Sequence, residues 1–192
     1  RIVRAGWYNP YIMFRSQSEI AELTCPSCAQ PFTAEVWLTI DRQERPDLVH
    51  LIMDGALNVA TCPQCGAEGG VNHPLLFHDG SREQVLVALP LTVRGPDAAR
   101  ELVGDLLHRL LAALPAAERK PYLGEIEMVP ELSGLRALLI EQALAESENA
   151  QDQLIAIALQ DLLNVTGELD FQRVIAEHRT LLLTERAEQA LD

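Results

Sequence analysis

Basic residues are scarce in this sequence. Fifteen lysines and arginines stand against 28 acidic residues, a formal net charge of −13 at pH 7. Such a chain repels phosphate, which disfavours nucleic acid and anionic membrane surfaces as partners. Long apolar runs are missing too. None reaches the roughly 18 residues that a membrane-spanning helix needs. Gly69-Gly70 lacks the lysine that follows a phosphate-cradling loop, and no serine has the surroundings of a nucleophile elbow. Nothing in the chain specifies a reaction, which leans against an enzyme. Cysteine is almost as scarce, with four in 192 residues. Their arrangement is the strongest signal present.

The four form two CPxC pairs, Cys25-Pro26-Ser27-Cys28 and Cys62-Pro63-Gln64-Cys65. Two intervening residues let both thiols of a pair reach one ion from a single tight turn. Two such turns supply the closed tetrahedral sulfur set that structural zinc favours. Zinc is therefore the expected ion, with iron second. Pro26 and Pro63 restrict their turns by locking φ. Gly66 suits the left-handed conformation that aims another N–H at sulfur, whereas the first pair carries Ala29 at that point. The segment between the pairs, residues 29–61, has room for a strand, a helix and a returning strand, so the two turns are expected to meet across a sheet. Neither pair opens a convincing helix, as a dithiol redox motif would. Thiol redox chemistry or oxidative zinc release is the first alternative. The second is a nucleic-acid-binding zinc ribbon, which the acidic balance opposes.

Three regions follow from composition: an arm over 1–18, a β-rich module over 19–94 and a helical domain over 95–192. The arm gathers Trp7, Tyr8, Tyr11 and Phe14, and is read as a leader or an extra strand. Arg1, Arg4 and Arg15 flank a polar and aromatic stretch rather than an apolar signal core. With paired free thiols, this points to a reducing, cytoplasmic setting.

In the module, Glu19–Thr24 enters the first cysteine turn. Phe32, Ala34, Val36, Leu38 and Ile40 alternate as one face of a strand. Pro46 starts a short helix that Gly55 closes. Leu57–Thr61 enters the second turn, and 69–77 continue the sheet. Asp79-Gly80 turns, and a last strand carries Val85, Val87 and Leu89. After Gly95-Pro96, Leu102, Val103, Leu106, Leu107, Leu110 and Leu111 form a helical stripe. Residues 115–130 read as a connection, and helical patterns resume from Pro130.

The five histidines offer no further site. His78 and Asp79 are neighbours in a strand and point to opposite faces, so they do not make a dyad. His78 is read as a supporting or surface residue, Asp79 as part of a turn and Trp37 as core.

Residues 22–91 resemble the CpXC domain. The resemblance rests on Leu23-Thr24-Cys25-Pro26-Ser27-Cys28, Phe32, Glu35-Val36-Trp37, Leu57-Asn58-Val59, Cys62-Pro63-Gln64-Cys65-Gly66 and Pro74–Asp79. It implies a zinc-ribbon-like domain liganded by Cys25, Cys28, Cys62 and Cys65, and no catalytic activity. A second resemblance, over 154–192, is to helical segments of tetratricopeptide-repeat proteins, with Arg179 where proline is common. The abrupt end of the last periodic segment at Asp192 suits a longer polypeptide. The expected protein is α+β: a small zinc-ribbon-like β-rich domain followed by an α-helical domain. Its expected role is that of an adaptor or scaffold for a protein partner.

Overall fold

A computed structural model describes residues 14–147. The aromatic cluster before Phe14 and the tetratricopeptide-like segment lie outside the described residues. The compact unit that contains the sheet runs through Arg136, and a second unit begins at Ala137.

Strand β1 (Gln17–Thr24) turns through the first cysteine pair into β2 (Pro31–Asp41). Helix α1 (Pro46–Asp54) follows. Pro46 occupies its first turn, where a missing N–H costs nothing, and Gly55 ends it at φ 72°. Strands β3 (Val59–Thr61) and β4 (Glu68–Gly70) flank the second cysteine pair. Among the described residues they pair with each other alone and form a separate two-stranded sheet, not the continuation expected from the sequence. Strands β5 (Leu75–Asp79) and β6 (Gln84–Leu89) form the next hairpin. Helix α2 (Pro96–Ala113) leads to β7 (Ile126–Pro130) and α3 (Glu131–Ala145). The fold is α+β, with a main sheet ordered β1-β2-β5-β6-β7.

Two pairs in that sheet are parallel, β2 with β5 and β6 with β7. Each requires a crossover. The first contains α1 and the entire β3–β4 hairpin; the second contains α2. Right-handed crossovers between these strands put α1 and α2 on opposite faces. Under α2, Leu106, Leu110 and Leu114 pack with Leu38, Leu76, Val85 and Val87. The opposite face buries Ile40, Leu75, Phe77 and Leu86. Strand β5 is buried at all five positions, as a central strand covered on both faces must be.

Residues 115–130 are more than a connection. Two 3-10 turns, Ala116–Glu118 and Pro121–Gly124, bring the chain to β7, which completes the sheet. Five residues without clean alternation hid this edge strand. The face expected for β2 also changes. Ser18 lies opposite Trp37 and Gln17 opposite Thr39, so Leu38 is the extra residue of a β-bulge. The bulge shifts the alternation by one. Leu38 packs with Leu76, while Ile40 lies beside Phe77 on the other face. Trp37 is only half-buried, with the Arg45 guanidinium 4.8 Å above its ring, rather than in the core.

Leu110 is fully buried beneath the sheet. Replacing it with alanine is expected to cost about 2–5 kcal/mol, read from the midpoint of urea unfolding, because the rigid sheet collapses only partly into the cavity.

Candidate metal centre

Each cysteine pair forms the turn of a hairpin, and the two turns have the same backbone plan. In the first, the Cys25 N–H donates to the Gln30 carbonyl and the Ala29 N–H to the Cys25 carbonyl, both at 2.9 Å. In the second, Cys62 N–H donates to Ala67 and Gly66 N–H to Cys62, at 2.8 and 2.9 Å. Gly66 has φ 73° and Ala29 has φ 56°. Alanine therefore adopts the left-handed geometry that glycine takes at no steric cost.

The turns bring all four sulfurs within 4.8 Å of one another. Cys25 Sγ lies 3.6 Å from Cys65 Sγ, and Cys28 Sγ lies 3.7 Å from Cys62 Sγ. Four sulfurs bound tetrahedrally at about 2.3 Å from one ion stand about 3.8 Å apart, so the set fits a tetrahedral tetrathiolate centre. Cys25 and Cys62 are buried, Cys28 is half-buried and Cys65 is exposed. The first cysteine of each turn thus faces inward and the second toward solvent.

The Cys28 N–H pulls the Cys25 thiol down to about 6. The Gln30 N–H also favours a Cys28 thiolate, but burial and the neighbouring sulfurs outweigh it and push that thiol up to about 12. Cys65 is raised as well: the Ala67 N–H and the Cys28 sulfur favour its thiolate, but the Cys25 sulfur, partial desolvation and the Cys62 sulfur prevail. The Cys25 thiolate is thus favoured, while Cys28 and Cys65 hold their protons more tightly than a free thiol.

Asn58 supports this arrangement and went unnoticed as a functional residue. Its side-chain amide accepts the Trp37 N–H at 2.8 Å and donates to the Trp37 carbonyl at 3.1 Å. A side chain thus stands in for a neighbouring strand and ties the base of the second hairpin to β2. The residue is buried with φ 53°, a conformation asparagine tolerates better than most.

Residues 23–112 match the CpXC protein family. The matched stretch contains both cysteine turns and most of α2, and reaches past the residues 22–91 that carry the motif resemblance. Comparison with curated proteins and with solved structures finds no match.

His78 is neither a supporting residue of the sulfur centre nor a surface residue. It is buried with both ring nitrogens engaged, Nδ1 at 2.7 Å from Asp41 Oδ2 and Nε2 at 2.8 Å from the Tyr122 hydroxyl. The partner is Asp41, its register neighbour on parallel β2, and not adjacent Asp79. Burial pushes the Asp41 carboxyl up, but the His78 hydrogen bond, the Glu44 N–H and the charges of His78 and Arg15 hold it below the usual carboxylate range. With Asp41 ionised, Nδ1 donates to it, which leaves Nε2 to the Tyr122 hydroxyl. Asp79 is also buried and held low. Burial opposes this, while Ser81, Gln43, the Arg82 N–H and the Arg42 charge favour the carboxylate. Among the described residues, His50, His73 and His108 are not gathered at the metal centre, and His178 lies outside the described residues.

Four outcomes are expected. Cys62→Ser should lose stoichiometric metal in elemental analysis, and the affinity of the intact site should fall as pH drops from 8 to 6, because protons compete for the thiolates. Competition with a chromophoric chelator measures this. Ala29→Gly should raise stability by about 1 kcal/mol in metal-loaded protein by relieving the left-handed alanine, provided the metal stays bound. The depressed Asp41 carboxyl stabilises the fold above its unfolded value of about 3.9, and this contribution disappears as pH falls through the lower folded value. Asp41→Asn should therefore cost about 3 kcal/mol at pH 7 and flatten the acid loss of stability in urea titrations.

Proposed function

We propose that this protein is a zinc-stabilised interaction module that serves as an adaptor or scaffold for a protein partner in the cytoplasm. The observation that carries the reading is the closed set of four sulfurs at the turns of two hairpins. Four thiolates leave no open coordination position, so the ion has a structural role and not that of a Lewis acid. Zinc binding by such turns is worth on the order of 10 kcal/mol at neutral pH, enough to hold a three-residue strand pair that could not persist alone. Free, closely paired thiols suit a reducing compartment. The net charge of −13 favours a protein partner over nucleic acid. Among the described residues, no helix is long and apolar enough to cross a membrane.

Elemental analysis of protein purified without added metal should find one zinc per chain; iron in its place would overturn the choice of ion. Complete chelation should remove hydrogen-exchange protection from β3, β4 and the cysteine end of the β1–β2 hairpin. Protection should persist in β5, β6 and α2, whose core is independent of sulfur. Unchanged protection throughout would defeat the structural role.

A further inference from the structure

A cleft of about 290 Å³ opens beside the metal centre, between the β1–β2 hairpin and the β3–β4 hairpin. Leu23 and Phe32 line one side, Ala60 and Val71 the other, and the strand between carries Gly69-Gly70. A side chain at Gly69 would meet nothing within 4 Å, and its φ is outside the left-handed range. The cleft therefore exists partly because no side chain fills it. Glycine in a strand commonly marks the close approach of another backbone.

The β3–β4 ladder determines what this strand can offer. Cys62 N–H bonds the Ala67 carbonyl, and Val71 N–H bonds the Asn58 carbonyl. Hydrogen-bonded pairs alternate along an antiparallel ladder, so Ala60 and Gly69 form the pair between them. Glu68 and Gly70 then direct their N–H and C=O groups away from β3. Both are exposed, and among the described residues β4 pairs with β3 alone. An unpaired backbone edge thus rims an apolar cleft. The cleft is at the lower limit of small-ligand pockets and takes one or two side chains.

The charge selects the occupant. Glu68 is the charged side chain among the lining residues, Glu22 is exposed on adjoining β1, and a divalent tetrathiolate leaves two net negative charges nearby. We infer that the cleft binds an extended peptide segment of a partner protein. The segment pairs with the free edge of β4, inserts an apolar side chain over Gly69 and carries lysine or arginine on its flanks. This rests on the reading of the protein as an interaction module and names the surface and the chemistry that module would use.

The test uses the metal-loaded chain and fluorescein-labelled hexapeptides with valine, leucine or phenylalanine at the middle positions. One set is flanked by lysine and the other by glutamate. Fluorescence anisotropy at low salt should give saturable binding of the lysine set, at least about tenfold tighter than the glutamate set. A Cβ at Gly69 meets no neighbour, and the rest of a leucine side chain enters the cleft, so Gly69→Leu should keep metal content and melting temperature while weakening the lysine set about tenfold or more. Glu68→Lys should reduce the preference for lysine flanks, and N-methylation of the central peptide groups should abolish binding. No binding at 1 mM, equal binding of both sets, or undiminished binding by Gly69→Leu would each overturn the inference. The chelation experiment is independent and can succeed while every peptide fails.

Discussion

Four sulfurs within 4.8 Å of one another cannot all carry charge unless a cation stands among them. That constraint organises one end of this molecule. The β3–β4 sheet has three residues per strand, and its glycine-rich second strand contributes little packing. What it has in place of a core is a turn that presents two thiols to a matching turn. Asn58 holds the base of the same hairpin to β2. The hairpin is thus fixed at one end by an amide and at the other by the sulfur cluster.

The opposite end of β2 handles buried charge differently. Asp41 and Asp79 end parallel neighbouring strands, and both carboxylates are completely buried. Here the compensating groups are protein: His78 backed by Tyr122, Arg15, Arg42, Gln43 and Ser81. Strand β2 spans 11 residues, so these two charged centres stand on the order of 30 Å apart along it. Between them lies an ordinary apolar core covered by α2. Metal removal and acid therefore act on different parts of one sheet: the first on ligand thiolates, the second on carboxylates as well.

Locating function on the surface near the metal follows from the same division. An ion held by all four thiolates would complete its coordination with protein sulfur and have nothing left to offer a substrate. The Asp41–His78–Tyr122 chain uses both histidine nitrogens internally. What remains available is backbone: the outer edge of β4, beside a cleft that two glycines leave open and an acidic surrounding polarises.

The cysteine chemistry was legible in the chain because ligand spacing is local. CPxC followed by Gly66 specifies a turn whatever surrounds it, and two turns imply one ion. Helix α1 with Pro46 and Gly55, the long apolar stripe of α2 and the Asp79-Gly80 turn were readable for the same reason. Strand β7, the bulge at Leu38 and the Asp41–His78 pair were not. Each depends on a partner distant in sequence: β7 on β6, the bulge on β1, Asp41 on a strand that arrives only after a crossover holding α1 and the second cysteine turn. Periodicity assumes an unbroken strand, so one inserted residue was enough to misplace Ile40 and to conceal that Asp41 meets His78. By itself the sequence determined which atoms can bind an ion, since ligation requires only short-range geometry. Tertiary structure alone decided which buried charges meet and which backbone edge stays open, since those follow from strand order and register.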